Sequence, residues 1–338
     1  MQTVDFSYLL PDRVIAQQPT EPRDAARLLD TRDMTDHTFG ELADLLAPGD
    51  LVVVNKTRVR AARLRGTKSA GGGAVEVLLL RSTAGSGWEA LIKPARRIRP
   101  GVVLDLGELV ATVTAPPASG VFELDLATTD GTDVEQAIAR LGETPLPPYI
   151  RQTLADPERY QTVFAERVGS AAAPTAGLHF TNRVIASLAE REIGLAAVEL
   201  EVGIDTFRPI GVPRVSDHVM HSERYSVPES TAEAIGRTRG SGGRVVAVGT
   251  TVVRTLESVF DGEEIAPGDG ATDLFITPGY RFNIVDVLVT NFHVPASTLV
   301  VMIAAFMGPE WRSAYAHALA RSYRFLSFGD AMLAERSR

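Results

Sequence analysis

The chain has 338 residues, 45% of them hydrophobic, which is enough to bury a sizeable core and leads us to expect two domains. It contains no cysteine, which excludes disulfides, thiolate metal sites and a cysteine nucleophile and fits a reducing compartment. The longest apolar stretch, around Leu299 to Met307, is too short to span a membrane, and the first residues lack the features of a signal peptide. We therefore expect a soluble, cytoplasmic protein with no membrane partner.

The distribution of charge is uneven. The net charge of −8 argues against general binding to nucleic acid, yet six cationic residues and no acidic residue lie between positions 56 and 68. A local basic patch on an acidic protein is typical of contact with a polyanion, although a solvated surface has the same composition. A second cationic cluster consists of Lys93, Arg96, Arg97 and Arg99.

The first third of the chain predicts β-structure. Residues 51–126 contain short apolar runs separated by turns, which indicates a series of antiparallel strands. No helix of any length fits between about residues 62 and 126, so a small β-barrel or sandwich is expected. Three prolines within residues 145–148 then stiffen the backbone and suggest a domain boundary.

Helices and strands alternate in the rest of the chain, which is typical of an α/β domain. We predict an α/β fold (multidomain α+β), in which residues 1–60 and 145–338 form the α/β main domain and residues 61–144 an inserted small β-barrel domain. The predicted helices are Asp133–Leu141, Thr181–Glu192, Ser230–Arg239, Thr250–Ser258 and one opened by Ser297 and ended by Gly308, and the predicted strands are Ala196–Val202, Arg244–Val248 and Ile284–Thr290.

Two strand-to-helix junctions carry polar residues where open α/β sheets bind ligands. The helix after Gly249 has free N–H groups that suit a carboxylate or phosphate, although a threonine such as Thr250 or Thr251 is more often simply an N-cap. The segment after the last predicted strand holds Asn291 and His293, and the imidazole fits either proton transfer or a structural hydrogen bond.

Two further segments hold histidines. The small-residue loop of residues 171–181 contains Gly177, which permits a ligand to approach the backbone, and His179, while a helix-capping loop explains it equally. The segment S-D-H-V-M-H-S-E contains His221 and Glu223 in a spacing that does not match helical zinc sites, so acid-base or substrate-binding duty, or a surface hydrogen-bond cluster, is expected. Motifs of serine hydrolases, P-loop proteins and dinucleotide-binding proteins do not occur.

Nearly the whole chain resembles the S-adenosylmethionine:tRNA ribosyltransferase-isomerase family of queuosine biosynthesis. The similarity is specific, because many motifs occur together and in order. They include D-F-S-Y-L-L-P, I-A-Q-Q-P-T-E-P-R-D, G-D-L-V-V-V-N-K-T-R-V-R-A-A-R-L, P-L-P-P-Y-I, E-R-Y-Q-T-V-F-A, A-P-T-A-G-L-H-F, D-H-V-M-H-S-E, V-A-V-G-T-T-V-V-R-T-L-E-S, T-N-F-H and Y-R-F-L-S-F-G-D-A-M.

The resemblance implies a reaction on tRNA. The ribosyl part of S-adenosylmethionine moves to the aminomethyl group of 7-aminomethyl-7-deazaguanine at the wobble position, adenine and methionine leave, and epoxyqueuosine results. S-adenosylmethionine is then a co-substrate, and we expect no metal, no resident cofactor and a monomeric protein. Such a reaction needs a base for the C5′ proton, help for the departing adenine and a site that excludes water.

The resemblance also assigns roles to residues. Acid and base roles fall among His179, His221 and His293, with Glu223 orienting one of them. The expected contacts to S-adenosylmethionine are Thr175, Gly177, Thr206, Thr250, Thr251, Arg254 and Asn291, and those to tRNA are Arg58, Arg63, Arg96, Arg97 and Arg99.

One loop departs from the family pattern. Where the family reads H-V-G-x-G-T-F, this chain has E-V-G-I-D-T-F, so Glu201 replaces a histidine and Asp205 a glycine. Two added carboxylates change the charge of a ligand-facing loop. Two alternatives therefore stay open, namely a related enzyme that uses S-adenosylmethionine with a small-molecule acceptor, and a non-catalytic tRNA-binding protein.

Overall fold

The computed structural model describes residues 1–83, 85–118, 120–203 and 208–337. The chain divides into two compact units, the larger containing Met1–Arg58, Pro147–Arg167 and Ala173–Arg338, and the smaller Val59–Leu146 and Val168–Ala172. Within the ranges just given, no helix combines the length and the apolar character needed to cross a bilayer.

The strands and helices are numbered in chain order. The strands are β1 (Arg27–Asp30), β2 (Thr35–Thr38), β3 (Leu51–Asn55), β4 (Thr57–Val59), β5 (Arg63–Lys68), β6 (Ala74–Ser82), β7 (Gly87–Lys93), β8 (Val103–Asp105), β9 (Leu109–Ala118), β10 (Val121–Thr128), β11 (Arg167–Ser170), β12 (Gly194–Leu200), β13 (Glu223–Val227), β14 (Val245–Val248), β15 (Gly268–Thr272), β16 (Val287–Asn291) and β17 (Ala331–Glu335). The α-helices are α1 (Val134–Leu141), α2 (Asn182–Glu190), α3 (Glu229–Gly240), α4 (Thr250–Ser258), α5 (Thr298–Met307) and α6 (Trp311–Ala320).

The smaller unit is a closed barrel. Among the described strands the order is β10-β7-β6-β5-β8-β9, and neighbouring strands pair in antiparallel orientation. Side chains alternate between the two faces, so that Val75, Val77 and Leu79 of β6 are buried in the barrel interior. Helix α1 follows the strands, and the Asp133 side chain caps it by accepting a hydrogen bond of 2.9 Å from the Gln136 N–H.

The larger unit is an α/β sheet whose described strands have the order β15-β13-β12-β3-β14-β16-β17-β1-β2. The central strands β12, β3, β14 and β16 are parallel, and they are flanked by antiparallel neighbours β13 and β17. Residues of β3, β14 and β16 are all buried, as expected for parallel strands covered on both faces. The four parallel strands therefore end at one edge of the sheet.

The predicted fold class is confirmed, since an α/β sheet and a small β-barrel are both present. Helix α4 has the predicted bounds, whereas several other elements differ at their ends, such as β12, which spans Gly194–Leu200 and not Ala196–Val202. The predicted strand at Ile284–Thr290 begins only at Val287, because the amides of Ile284 and Val285 donate to the Glu257 carboxylate at 3.0 Å each. The predicted small-residue loop contains a 3-10 turn over Thr175–His179.

Candidate active site

Several of the predicted site residues gather where the parallel strands end. Helix α4 begins directly after β14, and Asn291 is the last residue of β16. The 3-10 turn of Thr175–His179 contacts β16 at the same edge, where the Thr175 hydroxyl donates to Asn291 Oδ1 at 2.8 Å. This is the edge at which open α/β sheets bind ligands.

The turn into α4 is built on a glycine. Gly249 has φ +90°, a conformation that other residues rarely adopt, and its N–H donates to the Val289 carbonyl at 2.8 Å. Gly249 itself is the N-cap, so the interpretation of Thr250 or Thr251 as a capping residue was wrong. Both threonines belong to the first helical turn, whose N–H groups have no acceptor within the helix and favour an anion.

Two small cavities meet at this helix terminus. The first, called the histidine cavity, has a volume of about 20 Å³ and contacts Thr175, Asn291 and His293. The second, called the arginine cavity, has a volume of about 10 Å³ and contacts Glu223 and Arg254. Both are also bordered by Thr250, Thr251 and Leu299.

Thr251 is the residue best placed between the two cavities. Its side chain is only 7% exposed, and within the described part of the chain its hydroxyl has no hydrogen-bond partner. A buried hydroxyl without a partner is costly unless a ligand or water satisfies it. The hydroxyl therefore points to a polar ligand group at the start of α4.

The cavities are too small for a whole nucleoside. Each has room for roughly one water molecule, for which about 10–15 Å³ is required. Binding of a larger ligand therefore requires the surrounding chain to open. The two cavities mark where polar groups of such a ligand reach the protein.

Two of the predicted histidines are buried. His293 lies in the histidine cavity with Nε2 2.9 Å from the Thr290 hydroxyl, and burial lowers its pKa to about 3. His179 stacks on Phe39 with Nε2 3.2 Å from Asn291 Nδ2. Burial, together with nearby arginines, lowers the pKa of His179 to about 3. Both imidazoles stay neutral at pH 7 and are weak bases.

The third histidine has a different environment. The His221 side chain is 29% exposed, and its Nε2 lies 3.2 Å from Glu223 Oε1. The same carboxylate oxygen accepts a hydrogen bond of 2.8 Å from the Gly203 N–H, and the other oxygen contacts the Arg254 guanidinium. His221, Glu223 and Arg254 therefore form one linked group, called here the His–Glu–Arg group.

Arg254 and His221 keep the central carboxylate charged. Burial by itself would raise the pKa of Glu223, but the hydrogen bond from His221 and the charge of Arg254 outweigh it and lower the pKa. Arg254 is held in place by two backbone carbonyls, those of Leu274 at 3.0 Å and Thr272 at 3.2 Å. The carboxylate is thus rigid, ionised and aimed at an accessible imidazole.

Two tyrosines that the sequence did not single out hold the backbone of His293. The Tyr8 hydroxyl donates to the His293 carbonyl, and the His293 N–H donates to the Tyr315 hydroxyl at 3.1 Å. Tyr8 is 285 positions away in the chain, so no local pattern could have revealed the contact.

One of the predicted ligand contacts, Gly177, does not border the two cavities. Gly177 is buried, and a Cβ added there would lie 3.0 Å from the Thr162 methyl group, so the glycine serves packing and not ligand approach. Thr206 and the neighbouring Asp205 lie outside the described residues. Glu201, the residue after β12, is half-buried and precedes Val202, which borders the histidine cavity.

The first cationic cluster is largely occupied by ion pairs. Arg58 contacts the carboxylate of Glu158, and Arg63 Nε lies 3.8 Å from Glu76 Oε1. The acidic partners are distant in sequence from the arginines, which is why the cluster looked unpaired. Its other pairs include Lys56 with Glu166, Arg60 with Glu135 and Arg65 with Glu143.

The second cationic cluster differs in being exposed. Arg96, Arg97 and Arg99 follow β7 in the segment 93–99, called here the barrel loop, and all three are exposed. Across the described ranges, none of the three forms a salt bridge. The barrel loop therefore keeps its positive charge available to an anionic partner. The described residues also contain no cluster of three or more potential metal ligands.

Comparison of this chain with a family model, with relatives and with a solved structure identifies one family. The family model described as "Queuosine biosynthesis protein" matches residues 3–334. The S-adenosylmethionine:tRNA ribosyltransferase-isomerases of Symbiobacterium thermophilum and Moorella thermoacetica are 49% and 48% identical, over 98% of this chain and 99% of each relative. The crystal structure of S-adenosylmethionine tRNA ribosyltransferase from Thermotoga maritima is 36% identical, with a TM-score of 0.56, over 97% of this chain and 99% of that one. The chain therefore belongs to the queuosine biosynthesis protein family.

Proposed function

We propose that this protein transfers and isomerises the ribosyl moiety of S-adenosylmethionine onto 7-aminomethyl-7-deazaguanine at the wobble position of tRNA. Epoxyqueuosine-tRNA forms, and adenine and methionine are released. Family membership over nearly the whole chain supports this reaction. The observation that carries it is the His–Glu–Arg group, which shares an edge of the sheet with an anion-binding helix terminus.

The first turn of α4 is suited to the methionine end of S-adenosylmethionine. The ligand carries one carboxylate there, and the N–H groups of Thr250 and Thr251 favour an anion. The buried Thr251 hydroxyl supplies a further donor, since it has no partner among the described residues. In this proposal S-adenosylmethionine is a co-substrate, and the protein uses no metal or resident cofactor.

His221 is the residue that takes the C5′ proton. The sulfonium acidifies this C–H bond, and when the bond breaks the electron pair stays on C5′ while the proton moves to the imidazole. The ionised Glu223 stabilises the resulting imidazolium, and Arg254 holds that carboxylate in position.

His179 and His293 have a different role in this mechanism. Their neutral, buried imidazoles are hydrogen-bonded to Asn291 and Thr290, so they fix the side chains that border the histidine cavity. They position the site and do not transfer protons. Asn291, held between Thr175 and His179, presents its amide at the end of β16.

The barrel loop supplies contacts to the tRNA backbone. Arg96, Arg97 and Arg99 are exposed cations, whereas Arg58 and Arg63 lie near carboxylates. Reversing all three barrel-loop charges should weaken tRNA binding about tenfold or more and flatten its salt dependence. Reversal of Arg81, an exposed barrel arginine paired with Glu89, is the control for a single charge change outside the barrel loop. Binding that the triple reversal leaves unchanged would contradict this role.

Product analysis tests the proposed function. Labelled S-adenosylmethionine is incubated with the protein, with and without tRNA that carries 7-aminomethyl-7-deazaguanine, and free adenine is measured. Release of adenine only with the modified tRNA supports the proposal. Release without tRNA would instead indicate a small-molecule acceptor, an alternative favoured by Glu201 next to the histidine cavity. No release in either case, with tRNA bound, would indicate a binding protein.

A further inference from the structure

A large open cleft lies in the larger unit, at the edge of the sheet of nine described strands that is opposite to the candidate active site. This sheet is called the main sheet below. The volume of the cleft is about 1150 Å³, far larger than either cavity of the candidate active site. Its lining includes Arg239 near the end of α3, Arg281 before β16 and Arg336 after β17. These positions place the cleft where the parallel strands begin, whereas the candidate active site lies where they end. It is called here the cationic cleft.

The charges of the cleft are strongly one-sided. Three arginines line it, and Asp261 is the acidic residue in the lining. The Asp261 carboxylate accepts the N–H groups of Glu263 and Glu264 at 3.0 and 2.9 Å and keeps its negative charge, so three cationic side chains and one carboxylate line the cleft. The cleft therefore attracts an anion.

Two of the arginines are available to a ligand. Within the residues that the structure describes, Arg239 and Arg281 form no salt bridge, and both side chains are exposed. Arg336 is fixed by the Phe282 carbonyl at 2.8 Å and by Asp286 at 3.3 Å. Planar guanidinium groups bind phosphate oxygens in a bidentate manner, so this set suits a phosphate.

Aromatic side chains stand beside these arginines. The Arg239 guanidinium carbon lies 5.7 Å from the centre of the Phe260 ring, and the half-buried Tyr280 also lines the cleft. The Tyr280 hydroxyl is held by Glu257 at 3.3 Å, which fixes the ring. Rings next to phosphate-binding arginines are typical of surfaces that stack nucleobases.

We propose that the cationic cleft is a second ligand site, which binds a nucleotide through its phosphate and its base. Arg239 and Arg281 contact the phosphate, and Phe260 and Tyr280 stack on the base. The nucleotide belongs either to an RNA strand or to a free mononucleotide. The proposal does not depend on the proposed function, because it uses no residue of the candidate active site.

Two fluorescent probes test the cleft, a short single-stranded oligoribonucleotide and a mononucleotide, each titrated into the full-length protein. The cleft variant is Arg239→Glu/Arg281→Glu. The matched control, Arg191→Glu/Arg237→Glu, makes the same change of charge at exposed arginines outside the cleft. We expect saturable, salt-dependent binding that the cleft variant weakens about tenfold or more and that the control variant retains.

The titrations with the two probes show whether the nucleotide belongs to an RNA strand or is free. Binding of the oligoribonucleotide but not of the mononucleotide indicates an RNA strand, and tight binding of the mononucleotide indicates a free nucleotide. Absence of binding of either probe, or equal affinities of the wild-type protein and the cleft variant, would overturn the proposal. Adenine release at saturating substrates should be unchanged in the cleft variant, which separates this test from that of the proposed function.

Discussion

The carboxyl edge of the main sheet holds imidazoles in two environments. His179 and His293 are buried and hydrogen-bonded to neutral groups, and burial lowers the pKa of each to about 3. His221 is partly exposed and faces the Glu223 carboxylate, whose other oxygen contacts Arg254. The sequence alone does not distinguish the three histidines, because each lies in a short segment between predicted strands and helices.

The difference shows what decides the role of a histidine. A proton acceptor needs access to the substrate and a partner that stabilises its charged form. His221 has both, because solvent reaches the ring and Glu223 lies 3.2 Å away. His179 and His293 lack such a partner, because each is hydrogen-bonded to a neutral group, so their imidazoles act as neutral hydrogen-bonding groups.

The largest effect is expected when the carboxylate that defines the His221 environment is removed. Glu223→Gln leaves the Arg254 guanidinium buried without its counter-charge, which should cost about 3–5 kcal/mol of the free energy of unfolding. Urea denaturation measures this cost. Asp36→Asn, at a more exposed set of ion pairs, is the control and should cost about 1 kcal/mol or less.

A second variant separates stability from activity. Glu223→Gln/Arg254→Met removes both charges and should regain much of the lost stability, but adenine release should stay low. If Glu223→Gln alone has the unfolding free energy of the wild-type protein, the ion pair between Glu223 and Arg254 does not stabilise the fold as described.

Acid should destabilise the protein through the two buried histidines. Their folded-state pKa of about 3 lies below the ordinary value of 6.5, so below pH 6.5 the unfolded chain binds protons that the folded chain does not. Stability is therefore present at neutral pH and is lost as the pH falls toward 3. Each histidine should account for about 2 kcal/mol of the loss between pH 7 and pH 5.

Urea denaturation at the two pH values measures this loss. The variants His179→Gln and His293→Gln, which cannot take up the proton, should each show a smaller difference than the wild-type protein. If neither substitution reduces the difference in unfolding free energy between the two pH values, the protons that destabilise the protein bind at other groups. The proposed difference between these two histidines and His221 would then be wrong.

The smallest effect is expected at the hydroxyl between the two cavities. Thr251→Val removes a buried donor, so the KM for S-adenosylmethionine should rise about tenfold while kcat changes little. Thr255→Val is the matched control one turn along α4, because that hydroxyl donates to the Thr251 carbonyl at 3.0 Å within the helix. Equal KM values in Thr251→Val and Thr255→Val would show that the Thr251 hydroxyl does not contact the ligand.

Much of the site's location could be predicted from the sequence. The helix Thr250–Ser258 and the residues Asn291 and His293 were placed at one edge because strands β14 and β16 are continuous buried runs that end in polar residues. The glycine that precedes α4 indicates where the helix begins. These strands, the helix and the residues at their ends follow from local sequence patterns, so they could be predicted without knowledge of tertiary contacts.

Other features depend on contacts between distant parts of the chain. The burial of His179, the packing of Gly177 against Thr162 and the Tyr8 contact to His293 leave no local trace. The same holds for Arg58, whose partner Glu158 is 100 positions away. Sequence patterns identify charged and titratable residues, but tertiary packing decides which of them stay accessible.

Loss of tritium from C5′ of S-adenosylmethionine into water tests the central claim most directly, because it reports the proton transfer assigned to His221. The wild-type protein, His179→Gln and His293→Gln should release tritium in the presence of the modified tRNA. His221→Gln, which keeps a hydrogen-bonding group near Glu223, should release it about 10²–10⁴-fold more slowly. Release by His221→Gln at the wild-type rate would contradict the assignment of His221 as the base.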